Sequence, residues 1–83
     1  MSDAVTVRFF ASLREAVGRD ALCVSVNHSE QLLTALSAHI SSTALDALSA
    51  PNVRIAVNQC LLEEACALRG GDEVAFLPPV TGG

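Results

Sequence analysis

The sequence predicts an α+β fold in which one main helix covers one face of a mixed sheet of about five strands. Three observations carry that expectation. Apolar residues alternate near both ends, in Val5, Val7 and Phe9 and again in Val74 and Phe76. One stretch between them has helical spacing, at Leu32, Leu33, Leu36 and Ile40. The chain has 83 residues and is 51% hydrophobic, enough for one packed core and too short for a second.

The elements follow in order. From Ala4 to Phe10, Val5, Val7 and Phe9 point one way and Thr6, Arg8 and Phe10 the other, the pattern of a half-buried strand. Ser12 is expected to cap a short helix from Leu13 to Val17, and Gly18 to end it. A second strand runs from Ala21 to Val26, with Leu22, Val24 and Val26 on one face, and its short connection implies antiparallel pairing with the first. Ser29 is expected to cap the main helix, with Glu30 in the first turn, where a carboxylate suits the helix dipole. Ser41-Ser42-Thr43 breaks that helix, and Ala44 to Leu48 forms a further helical turn.

Pro51-Asn52 marks a turn before a third strand from Val53 to Val57. A short fourth strand spans Cys60 to Leu62, after an Asn58-Gln59 turn in which asparagine tolerates left-handed geometry. Leu68 is expected to plug the core, and Gly70-Gly71 to turn the chain into a last strand from Glu73 to Leu77. Strand, strand, helix, strand, short strand, strand is the order of a β-grasp, or ubiquitin-like, roll. The expected organisation is a β-grasp domain over residues 1–77 and an extended C-terminal tail over 78–83.

Composition narrows the function. The net charge is −4, with five arginines and no lysine, which argues against nucleic-acid binding by phosphate neutralisation and suits a basic protein partner. No apolar run approaches the roughly 20 residues that cross a bilayer, and the first residues lack a signal-peptide layout. Cys23, Cys60 and Cys66 show no C-x-x-C spacing and are expected to be buried, reduced thiols of a cytoplasmic protein. His28 and His39 are too far apart for a local metal pair, so neither a metal nor a stably bound cofactor is expected.

The last stretch, Glu73-Val-Ala-Phe-Leu-Pro-Pro-Val-Thr-Gly-Gly83, carries the most information. Pro78 and Pro79 cannot continue an interior ladder, because proline has no N–H to donate, and together they favour a stiff, extended exit. From Pro78 through Pro79, Val80, Thr81 and Gly82 to Gly83 the reach is roughly 20 Å, at about 3.3 Å per residue. Gly82 and Gly83 have no side chains, so the α-carboxylate can enter a channel too narrow for a Cβ. Phe10 and Leu77 both fall on the strand face away from the helix and, with Leu61, would form one exposed apolar surface at the root of the tail.

These residues resemble the small, sulfur-carrier subunit of molybdopterin synthase, within the ubiquitin-like sulfur-carrier superfamily. The resemblance rests on Val7-Arg-Phe-Phe-Ala-Ser-Leu-Arg-Glu-Ala-Val-Gly18, on Ala56-Val-Asn-Gln59 and on Gly71-Asp-Glu-Val-Ala-Phe-Leu-Pro-Pro-Val-Thr-Gly-Gly83. The stretch from Ser25 to Asn52 is generic, and Gly70 stands where the family often has aspartate.

The resemblance implies that a partner similar to ubiquitin-activating enzymes adenylates the Gly83 carboxylate with ATP. A sulfur donor protein then converts it to a thiocarboxylate. The large synthase subunit would take this terminus and use its sulfur to make molybdopterin from cyclic pyranopterin monophosphate, in a heterotetramer of two small and two large subunits. The residues suit a carrier rather than an enzyme acting alone: there is no G-x-x-x-x-G-K-[ST] loop and no lysine to stabilise phosphate charge.

Other sites carry less. Arg14 can meet a partner or form a local ion pair, and Glu63-Glu64 reads as a charged turn. Asp72-Glu73 can meet a basic partner or discourage edge pairing. Cys60 and Cys66 lack the basic neighbours that would activate a thiol for persulfide handling. The competing functions are a sulfur carrier for thiamine or another thiolated product, a ubiquitin-like protein modifier, and an interaction module with an inert tail.

Overall fold

The computed structural model describes residues 4–79 of the chain. Strand β1 (Ala4–Phe9) is followed by helix α1 (Ala11–Val17) and strand β2 (Ala21–Ser25). A single 3₁₀ turn, Ser29–Gln31, leads into α2 (Leu32–Leu36), and α3 (Ser42–Leu48) follows. Strands β3 (Arg54–Val57), β4 (Cys60–Leu61) and β5 (Glu73–Leu77) complete the chain. The strand order is β2-β1-β5-β3-β4, with β1 and β5 parallel and the other pairs antiparallel. This is the β-grasp roll that the alternation and element order predict.

The core lies between the sheet and the helices. Val5, Val7 and Phe9 of β1 meet Val74 and Phe76 of β5, and the rings of Phe9 and Phe76 stack with centroids 6.0 Å apart. Leu32 and Leu36 close the cluster from α2, Leu13 from α1 and Leu48 from α3. Leu68 plugs it from the segment before β5, as expected.

The helical cover is divided among three short helices. α2 is five residues long and takes Leu32 and Leu36 to full burial, while Leu33 and Ile40 pack against the core only partly. Ser41 both ends the preceding turn and caps α3, its hydroxyl accepting from the Ala44 N–H at 3.1 Å.

Two other caps differ from expectation. α1 begins at Ala11 with Phe10 in the N-cap position, rather than with Ser12 as cap, and no side chain caps it. Its other end is as expected: Gly18 is left-handed at φ 83°, and its N–H reaches Arg14 O at 2.8 Å. Ser29 does not cap the main helix. His28 caps the 3₁₀ turn that leads into α2, its Nδ1 accepting from the Glu30 N–H while the Gln31 side chain accepts from the His28 N–H; α2 itself has Gln31 in the N-cap position and no side-chain cap. Ser29 instead turns inward, where its hydroxyl accepts from the Cys66 N–H at 2.9 Å. A buried hydroxyl that meets a backbone donor outweighs a solvent-exposed cap.

The glycine turn before β5 also has a specific geometry. The Asp72 N–H donates to Arg69 O at 3.0 Å, and Gly71 takes φ 92° at the third turn position, where a side chain would be strained. β5 is then the central strand of the sheet. Asp72 and Glu73 therefore do not guard an edge, and their partners explain them better.

Candidate functional site

The sheet face opposite the helices holds the candidate site. Strand parity sets its membership: each residue that buries Val7, Phe9, Val74 or Phe76 leaves its neighbour on the outer face. The register then lines up a single row across four strands. Arg8 opposes Ala75, Ala75 opposes Ala56, and Ala56 opposes Leu61. Two alanines in mid-row make a low floor, and larger side chains stand around it.

Phe10, Leu61 and Leu77 form the walls of a cleft of about 290 Å³, with Gln59 and Glu73 at its polar margin. Phe10 is 40% exposed and Leu61 54% exposed, large values for apolar side chains, while Ala56 beneath them is only 6% exposed. A second groove of about 510 Å³ shares Leu61 and Leu77 and continues past Arg54 to Pro78 and Pro79. One apolar track therefore leads from Phe10 to the root of the tail. β5 stops at Leu77, as a following proline requires, and Pro78 and Pro79 are half-buried.

The structure thus brings together Phe10, Leu61, Leu77, Pro78 and Pro79. The expectations for Val80, Thr81, Gly82 and Gly83 concern residues outside those described. The two floor alanines, Ala56 and Ala75, were not singled out from the sequence. Their signal was present in the alternation, but small residues attract notice only once the register shows what surrounds them.

Charge at the cleft is local. Arg8 reaches Glu73 at 3.5 Å, and its guanidinium lies 6.0 Å from the centroid of the Phe10 ring. Both partners of the ion pair are about half exposed, so its net contribution is small; it orients the arginine along the cleft margin. Arg14 pairs with Asp20 at 3.7 Å on the surface of the α1–β2 connection, the local alternative for that residue.

Asp72 accepts from the Arg69 N–H at 2.9 Å and from Asn58 Nδ2 at 3.1 Å. These bonds to the ionised form hold its carboxyl below the usual carboxylate range, the Arg69 backbone bond contributing most.

The thiols depart from expectation. Cys23 and Cys60 are exposed and Cys66 is half-buried: Cys23 stands opposite Thr6 on the outer face of β2, while Cys60, which opposes Val57 in register, lies on the two-residue edge strand β4. Among the described residues, no group of three or more His, Cys, Asp or Glu side chains is placed to hold a metal ion. No helix among them is long and apolar enough to cross a membrane. What the outer face offers is a shaped apolar surface with a polar margin, suited to a protein partner.

Comparison with known proteins agrees with this layout. The ThiS family matches residues 7–83. The chain is 44% identical over 81 residues to the molybdopterin synthase sulfur carrier subunit of Escherichia coli, covering 95% of this chain and 99% of that one. Among solved structures, it is similar to small archaeal modifier protein 1 from Methanosarcina acetivorans, with a TM-score of 0.81 at 28% identity over 100% of this chain and 99% of that one. It is also similar to a chain in the complex of subunits 1 and 2 of the molybdopterin-converting factor from Helicobacter pylori. There the TM-score is 0.72 at 26% identity, over 96% of this chain and 99% of that one. With the match spanning nearly its whole length, the chain belongs to the ThiS family.

Proposed function

We propose that this chain is the sulfur-carrier subunit of a molybdopterin synthase, acting in the cytoplasm. The observation that carries the reading is the apolar track from Phe10 through Leu61 and Leu77 to Pro78 and Pro79. It lies in a chain 44% identical to a relative named for that role. The track docks the large synthase subunit, and the proline pair sends the tail onward into that subunit's active site.

The chemistry belongs to Gly83. A free carboxylate is a poor acyl donor, because its leaving group would be oxide. A ubiquitin-activating-like adenylyltransferase joins the carboxylate to AMP from ATP and releases pyrophosphate. The terminal sulfur of a persulfide on a sulfur donor protein then displaces AMP to give an acyl disulfide, and a partner thiol cleaves its S–S bond, releasing the thiocarboxylate and forming a disulfide between the partner sulfurs. Stabilising phosphate charge needs Mg²⁺ and basic side chains that the partner supplies. The small chain acts as carrier; ATP is consumed by its partner and is not a resident cofactor. Gly82, having no side chain, suits a channel too narrow for a Cβ, and Thr81 and Val80 precede it in sequence after the prolines.

Purified thiocarboxylated protein, mixed with the large subunit and cyclic pyranopterin monophosphate, tests the assignment. Molybdopterin should form, consuming two thiocarboxylates per product. Failure to transfer sulfur there, with transfer to a thiazole precursor instead, would move the chain to the thiamine branch. The likeness to small archaeal modifier protein 1 gives the modifier reading a footing. Stable attachment of Gly83 to lysines of other proteins would establish it.

A further inference from the structure

Three hydrogen bonds tie Asn58, in the β3–β4 turn, to the start of β5. The Asn58 N–H donates to Glu73 O at 2.7 Å, and Asn58 Oδ1 accepts from the Glu73 N–H at 3.0 Å. Asn58 Nδ2 donates to Asp72 Oδ1 at 3.1 Å, while the other oxygen of Asp72 is held by the Arg69 N–H. Asn58 and Gln59 both take positive φ, 49° and 71°, as a tight two-residue hairpin loop demands. Beyond that turn β4 consists of Cys60 and Leu61 alone, opposed to Val57 and Ala56. The Leu62 N–H donates to Ile55 O at 2.9 Å, so Leu61 is held between that bond on one side and the Asn58-Gln59 turn on the other.

We propose that Asn58, locked by Asp72, is a positioning residue for the docking face: it sets where Leu61 stands against the Ala56 floor. The inference rests on the docking reading of that face. Asparagine fits the task because it tolerates the left-handed backbone and presents a donor and an acceptor at opposite ends of one short side chain. Glycine would supply the turn without the clasp. Aspartate would still accept from the Glu73 N–H, but would set a second carboxylate against Asp72.

The test is binding to the large synthase subunit from the same organism, measured by calorimetric titration at a temperature where circular dichroism shows every variant folded. Leu61→Ala and Phe10→Ala test the docking reading. Asn58→Asp alone should weaken binding by about tenfold. The double variant Asn58→Asp with Asp72→Asn should recover to within about twofold of the parent, because it reverses the donor and acceptor between the two positions. The introduced carboxylate keeps the Glu73 N–H, the introduced amide donates to its other oxygen, and that amide's carbonyl takes the Arg69 N–H. In a Leu61→Ala background, Asn58→Asp should add little, since the residue it positions is gone.

Parental binding by both Leu61→Ala and Phe10→Ala would remove the docking reading, and the positioning role with it. If those two weaken binding, three results each overturn the positioning role alone. They are unchanged affinity in Asn58→Asp, no recovery in the double variant, and full additivity with Leu61→Ala.

Discussion

Strand parity leaves Phe10 exposed and Leu77 half-buried on the outer face, since each follows a phenylalanine that the core takes, Phe9 and Phe76. Their removal should therefore spare the fold and harm the partner contact. Phe10→Ala and Leu77→Glu are each expected to weaken binding to the large subunit by more than about 1 kcal/mol while moving stability by less. The glutamate should do more damage, because it must be desolvated against an apolar surface. Denaturant melts beside binding titrations check this. These residues were legible in the sequence because parity needs only neighbours along the chain. The bonds of Asn58 to Asp72 and Glu73 were not, because they join positions 14 and 15 residues apart.

Asp72 gives a pH dependence of known sign. Its folded-state pKa lies below the ordinary value of 3.8, so the stability it adds is fully present above that value and is lost as pH falls through the lower folded value. Acid titrations followed by circular dichroism should show Asp72→Asn less stable than the parent near pH 6. The gap should begin to narrow as pH falls below 3.8 and close as the parent's carboxyl protonates at its lower folded value. A gap that stays constant down to about pH 2 would assign the effect to geometry rather than charge.

At the level of elements, strands were easier to read than helices. β5 runs from Glu73 to Leu77 as its alternation and the following prolines predict, and the β3–β4 hairpin forms at Asn58-Gln59. The helices differ because caps are decided by competing partners. Ser29 looks like a cap locally, but a chain segment 37 residues away supplies the Cys66 N–H that it takes instead. Ser29→Ala should thus cost about 1–3 kcal/mol by leaving that donor unpaired, whereas Glu30→Gln should stay within about 0.5 kcal/mol. Leu36→Ala, at a fully buried position of α2, should cost about 2–4 kcal/mol through lost burial and the cavity left behind. Urea denaturation of the three variants ranks them. Loss at Glu30 equal to that at Ser29 would restore the simple capping picture.

On the scale of the whole molecule, the core among the described residues runs from Val5 to Phe76, and the proposed sulfur chemistry is at Gly83, beyond it in sequence. Gly82→Val should leave melting unchanged yet slow adenylation on the order of a hundredfold, since a misplacement of about 1 Å at a reacting centre costs that much. Thr81→Ala, at a position whose channel already admits a Cβ, should react nearly as the parent does. Pyrophosphate-exchange rates with the activating enzyme separate the two. Whether Gly83 bears the sulfur is read out by intact mass. The parent and a variant lacking Gly83 would be incubated with the activating enzyme, ATP and the sulfur donor. The parent should exchange one oxygen for one sulfur at Gly83, while the truncated chain, equally folded, should not change. Sulfur gained by the truncated chain, or none gained by the parent, would contradict the carrier assignment.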